Sequence, residues 1–137
     1  MKWNVTDAKP GDMIRVRLGS CYHYGIFVSE QEVIQFGMPP IAEYAALPEQ
    51  VRVLATDIDV FACGKIIEVA SWSFSEKRKK RSAEDTVQQA KSRIGEGGYS
   101  LLHNNCEHFV YECMFGIHYC SQVDEVRKKW LARSEDK

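Results

Sequence analysis

No stretch of this 137-residue chain approaches the ~18 consecutive apolar residues needed to cross a bilayer. The opening residues, Met1-Lys2-Trp3-Asn4-Val5-Thr6-Asp7, hold no apolar segment of signal-peptide length. Charge of one sign is not in excess: 18 Lys plus Arg stand against 19 Asp plus Glu, for a formal charge of −1. That balance removes the basic footprint of a dedicated nucleic-acid binder, so no nucleic-acid partner is expected. The five cysteines, at 21, 63, 106, 113 and 120, are odd in number and have no paired spacing. A disulfide framework is therefore not expected, and reduced thiols and a cytoplasmic location are. Internal repeats are missing too, and the one biased tract is a short basic run. What is present is ordinary for a folded domain: 45 % hydrophobic and 27 % charged residues, enough to exclude disorder of the whole chain. The length suits one domain over residues 1–137.

Hydrophobic patterning divides the chain into strands followed by helices. After the turn signal Pro10-Gly11-Asp12, the segment Met13-Ile14-Arg15-Val16-Arg17-Leu18 alternates apolar and basic side chains as a half-buried strand does. Residues 23–28 and 33–36 read as two more strands, joined by a polar turn, and the three form an antiparallel meander. Residues 38–50 carry three prolines and read as a loop in which only 42–47 has helical character. Residues 51–54 and 65–69 read as further strands. The run Lys77-Arg78-Lys79-Lys80-Arg81 leads into Ser82, which is placed to cap a helix with Ala83, Val87, Ala90 and Ile94 on one face and Gly95 at its end. Residues 99–102 read as a short extended piece. Asn104-Asn105 then caps a helix whose first turn holds Cys106, with Phe109, Cys113, Met114 and Ile117 along one face. A charged helix is expected over 123–131. Strands first and helices after them make an α+β pattern.

Cys106, directly after the double-Asn cap, is the most informative residue. Unpaired N–H groups and the positive end of the dipole at a helix N-terminus stabilise an anion, which predicts a thiol that ionises more easily than a free one. The same N–H groups suit an oxyanion formed at an attacked carbonyl. Of the four histidines, His23 begins a strongly apolar strand, and Gln35 on the neighbouring strand is placed to orient its far nitrogen. Cys63 and Cys113 read as small buried residues. His103, Cys106, His108 and Cys113 cluster in sequence, but helical geometry points Cys106 and His108 apart and separates Cys106 from Cys113 by about 10 Å. A tetrahedral metal site is not expected there.

Asn105-Cys106-Glu107-His108-Phe109 resembles the signature of the lecithin:retinol acyltransferase-like family, which includes the HRAS-like suppressor phospholipases/acyltransferases. Pro10-Gly11-Asp12 with its strand, and His23-Tyr24-Gly25-Ile26-Phe27-Val28, resemble the family's first block. The resemblance covers about residues 10–128, leaving a charged C-terminal tail. It implies a circularly permuted papain-like (NlpC-type) fold, with the antiparallel meander packed against a helix that carries the Cys at its N-terminus. It further implies Cys106 as the nucleophile, His23 as general base and then general acid, and position 35 as the orienting residue. Gln35 stands where many animal members carry His, which implies weakened rather than abolished catalysis. Tyr22 is an oxyanion donor by analogy.

These features lead to the expectation of a thiol-dependent acyltransferase or hydrolase that forms an acyl-Cys thioester from a phospholipid or other acyl ester, without a cofactor. A cysteine peptidase or amidase of the NlpC type, and a catalytically weak binding or regulatory module, are the alternatives. Animal phospholipase-type members end in a hydrophobic anchor, whereas this sequence ends in charge, so a span-held substrate is not expected. The basic run 77–81 reads as a solvated loop neutralised by Glu76, Glu84 and Asp85, with peripheral contact to an anionic membrane as the alternative.

Overall fold

Six antiparallel strands, five α-helices and one turn of 3-10 helix (Pro48–Gln50) make up the computed structural model, which describes residues 1–39 and 47–135. The strands are β1 (Lys2–Asn4), β2 (Met13–Leu18), β3 (Cys21–Ser29), β4 (Glu32–Phe36), β5 (Val53–Thr56) and β6 (Glu68–Ser71), in the sheet order β1-β6-β2-β3-β4-β5. The meander expected from residues 13–36 is β2-β3-β4. The strands expected over 51–54 and 65–69 are β5 and β6, each shifted by two or three residues. β1 carries no pattern of its own. It is a strand because Lys2, Trp3 and Asn4 pair with Ser71, Ala70 and Val69. The helical character read over 42–47 lies largely outside the described residues.

Side-chain alternation sorts the sheet into two faces. Met13, Tyr24, Ile26, Ile34, Phe36 and Val53 point to one face and pack with Phe109, Val110, Cys113 and Met114 in the main core. Ile14, Val16, Phe27, Val33 and Val69 point to the other face and are covered by Phe61. Phe61 comes from α1 (Ile58–Ala62), a single turn capped by Asp57, whose side chain accepts from the N–H of Val60. Gly25 is what lets Phe61 sit flat on the sheet, because a Cβ at that position would lie 2.8 Å from its ring.

Lys77, Arg78 and Lys79 of the basic run are helical rather than loop, while Lys80 and Arg81 lie in the connection that follows. Residues Phe74–Lys79 form α2, entered through a capping box in which Ser73 and Glu76 satisfy each other's backbone N–H groups. The expectation of a wholly solvated run also fails at Arg81. Its Nη1 donates to the carbonyls of Glu112 (2.6 Å) and Cys113 (2.9 Å), and its backbone N–H donates to Met114 (2.7 Å). These are the last carbonyls of the helix that carries Cys106. A helix C-terminus leaves such carbonyls without intrahelical partners and attracts positive charge, and Arg81 supplies both needs. α3 (Ala83–Ser92) starts as expected at Ser82, whose hydroxyl accepts from the N–H of Asp85. In place of an extended piece over 99–102, residues 101–103 are a turn closed by a bridge between Ser100 and Asn104. α4 (Cys106–Phe115) and α5 (Ser121–Glu135) complete the fold.

Candidate active site

α4 begins at the cap expected from the sequence, and Cys106 is its first residue. Asn105 Oδ1 accepts from the N–H groups of Glu107 (3.0 Å) and His108 (3.1 Å), while the Asn105 N–H donates to His108 Nδ1 (3.0 Å). The Asn105 carboxamide also donates to the Leu101 carbonyl (2.8 Å) and the Cys120 sulfur (3.3 Å). The first turn is thereby locked, and the N–H of Cys106 itself takes no part in the cap. His108 is accounted for as the reciprocal member of that cap, stacked on His118 at 4.0 Å. Glu107, buried beside it, accepts from the Ser121 N–H and hydroxyl and from the Cys120 thiol. Among the described residues no group of three His, Cys, Asp or Glu is placed to hold a metal ion.

β3 supplies the other half of the site. Its pairing with β4 ends at Gly25–Gln35, so residues 21–24 run on beyond that pairing with no strand partner on that edge. Phe27 donates its N–H to Asp12 on the β2 side. By the alternation of an antiparallel ladder, the N–H groups of Tyr22 and Tyr24 face the vacated edge. Both find partners from the helices. The Tyr22 N–H donates to Gln122 Oε1 of α5 at 3.0 Å, and the Tyr24 N–H lies close enough to the Cys106 sulfur to favour its thiolate. The sulfur therefore sits at the edge of β3, one residue along from His23.

His23 is 1 % exposed and points to the Phe61 face, its ring centroid 5.3 Å from that of Phe61. Its Nε2 lies 2.7 Å from Gln35 Oε1, the partner expected from the sequence. Gln35 Nε2 donates in turn to Thr56 Oγ1 at 2.6 Å. His23 Nδ1 is buried with no hydrogen-bond partner among the described residues. No hydrogen bond joins it to the thiol. Tyr22 is held through its ring, which stacks under the Arg15 guanidinium at 3.8 Å.

The electrostatics depart from the sequence expectation at Cys106. Burial pushes its thiol up to about 12, with the Glu107 carboxylate adding to the rise. The N–H groups of Tyr24 and Glu107 act in the opposite direction without overcoming it. Loss of hydration at a residue only 3 % exposed outweighs the helix terminus. Burial likewise pushes the His23 imidazole down to about 4, against the Gln35 hydrogen bond. Both groups are neutral near pH 7. Sequence reasoning missed Tyr24, Thr56 and Gln122, because backbone donors and partners from distant elements leave no local pattern. A cleft of about 630 Å³, lined by Arg17, Tyr22, Lys65, Ile66 and Glu68 among others, includes neither Cys106 nor His23.

A capped helix presenting a cysteine to a strand that carries a paired histidine defines a cysteine-centred site on an α+β scaffold. The family model for lecithin retinol acyltransferase matches residues 6–119, and the chain belongs to that family. It is 31 % identical to lecithin retinol acyltransferase of Bos taurus over 142 aligned positions, covering 90 % of this chain and 61 % of that protein. With human phospholipase A and acyltransferase 4 it shares 27 % identity, covering 88 % of this chain and 78 % of the relative. Human phospholipase A and acyltransferase 3 is 28 % identical, with 92 % and 82 % covered. The chain thus spans about three fifths of the retinol acyltransferase it matches. No helix among the described residues is long and apolar enough to cross a membrane.

Proposed function

We propose that this protein is a thiol-dependent acyltransferase or hydrolase, built on a circularly permuted papain-like fold, that carries an acyl group as a thioester on Cys106. The observation that supports it best is the state of His23. Its Nε2 hydrogen bond to Gln35 leaves Nδ1 as an unpartnered buried lone pair, on the strand whose next N–H reaches the Cys106 sulfur. A general base needs such a nitrogen, held by a partner on its far side.

In the proposed cycle Nδ1 takes the thiol proton as sulfur attacks the ester carbonyl. The carbonyl electron pair moves to oxygen, where backbone N–H groups at the start of α4 would stabilise the charge. Collapse of the intermediate breaks the ester C–O bond, and Nδ1–H protonates the departing alcohol. Water, an alcohol or an amine then attacks the thioester, Nδ1 again accepts the proton, and it returns that proton to the sulfur. Both groups start neutral, so deprotonation accompanies attack and no preformed ion pair is required. Donors of the phospholipid class fit the names of the relatives, and a cytoplasmic site of action is part of this reading. Contact with an anionic lipid surface would fall to Lys77, Arg78 and Lys79 of α2, since Arg81 is committed to the end of α4.

The depth of Cys106 favours one other reading, a regulatory module of the same fold that turns over poorly. Intact-mass measurement after incubation with phosphatidylcholine micelles or an activated fatty-acyl ester decides between them. The expected result is one acyl adduct, mapped to Cys106, absent in Cys106→Ser and formed at least 100-fold more slowly in His23→Ala, the scale of general-base catalysis. An adduct that survives Cys106→Ser would overturn the proposal, and a folded protein that acylates with no donor would favour the regulatory module.

A further inference from the structure

On the Phe61 face, three hydrogen bonds run through the sheet in a single direction. Thr56 Oγ1 donates to the carbonyl of Asp57 at 3.0 Å. That carbonyl is held in turn, since it also accepts from the N–H of Phe61 in the first turn of α1. A hydroxyl has one proton, so with that proton committed to the backbone the Thr56 oxygen can only accept from Gln35. Gln35 must then present its NH₂ to Thr56 and its carbonyl oxygen to His23, the orientation observed. Oε1 has lone pairs and no proton, so the ring proton of neutral His23 is placed on Nε2. The remaining nitrogen, Nδ1, is left with its lone pair.

The fixed backbone carbonyl of Asp57 thus sets the polarity of the whole chain of bonds. A carboxamide has nearly the same shape when its oxygen and nitrogen are exchanged, so nothing steric distinguishes the two orientations. In the exchanged orientation the NH₂ would donate to Nε2, the ring proton would move to Nδ1, and no lone pair would be left to accept the thiol proton. Thr56 is the group that excludes this arrangement. In it, Thr56 would either meet Gln35 acceptor to acceptor or turn its one proton away from the Asp57 carbonyl, and each course gives up a hydrogen bond that the observed orientation keeps.

We propose that Thr56 is a positioning residue of this site, whose hydroxyl orients the Gln35 carboxamide and thereby holds His23 in the tautomer with its lone pair on Nδ1. The consequence for rate rests on the acyl-transfer reading above, whereas the tautomer itself does not. Two-bond proton–nitrogen correlation spectra of the ¹⁵N-labelled protein read that tautomer directly, and the rate of acyl-Cys106 formation reads its use.

The wild type is expected to show His23 as Nε2–H alone. Thr56→Val, which keeps the β-branched shape and loses the hydroxyl, is expected to populate Nδ1–H. It should also lower kcat by about 10- to 100-fold with KM little changed, on the scale of a misoriented catalytic base. Thr56→Ser should return the single tautomer and most of the rate. Should Thr56→Val fold poorly, Thr56→Ala carries the same expectation at a smaller volume. Retention of pure Nε2–H in folded Thr56→Val or Thr56→Ala would overturn the proposal, even if acylation proceeds. A tautomer shift in a protein whose wild type acylates with no donor would uphold the role of Thr56 and defeat the acyl-transfer reading instead.

Discussion

At Cys106 two effects of known sign compete, and their balance sets how the thiol reacts. The helix terminus and the Tyr24 and Glu107 N–H groups favour the thiolate, while burial and the neighbouring Glu107 carboxylate oppose it. Burial wins. The free protein should therefore not show the hyperreactive thiolate that a capped helix start suggests on its own. Below about pH 9, near the ordinary range of a free thiol, limited iodoacetamide should label exposed Cys63 and half-buried Cys21 ahead of Cys106. Peptide mapping against pH checks this, with Cys106 expected to label only in strongly alkaline solution. Preferential labelling of Cys106 at pH 7 would mean that the resting site is an ion pair and that the neutral-pair mechanism is wrong.

The elements that place the site depend on contacts made at their ends. Residues 77–81 carry five successive cations, yet only Arg81 closes the last turn of α4. Arg81→Gln should cost about 1.5–3 kcal/mol, the range for hydrogen bonds from a charged donor. Lys77→Gln and Lys79→Gln, on the exposed turn of α2, should stay within about 0.5 kcal/mol of wild type. Urea unfolding of the three variants separates the roles, and equal effects would show the run acting only as diffuse charge. This distinction marks the limit of what the sequence discloses. Alternation along 13–18, the Ser82 and Asn105 caps and the His23–Gln35 pairing are local signals, and each appears in the structure. β1, α1 and α2 owe their existence or position to pairing and capping that local periodicity does not encode. The same holds for Thr56, which reaches Gln35 across the β4–β5 ladder, and for Tyr24 and Gln122, which come to the site where β3 runs on beyond its pairing with β4.

For the molecule as a whole, burial of a neutral imidazole at the centre of the sheet makes folding sensitive to mild acid. His23 has its pKa pushed down to about 4 in the folded state, by burial, against about 6.5 when unfolded. The unfolded chain takes up the proton first, so the stability held by neutral His23 is fully present above 6.5. It is lost as pH falls from 6.5 toward 4. Between pH 7 and pH 5 this one group should remove about 2 kcal/mol of unfolding free energy, at about 1.4 kcal/mol per pH unit once below 6.5. His108, also lowered by burial and by its neighbour His118, acts in the same direction over the same window. His118 is raised by its Glu112 partner and acts in the opposite direction. The lowered carboxylates Glu76 and Glu96 lose their contribution only below about 4.5, outside this interval. Denaturant unfolding at pH 7 and pH 5 should therefore show a loss in the wild type that shrinks by about 2 kcal/mol in His23→Asn, whatever that variant's stability at pH 7. An unchanged loss would mean that water or a counter-charge reaches Nδ1 in the folded protein, and the lone pair that the acyl-transfer cycle depends on would no longer be held dry and neutral.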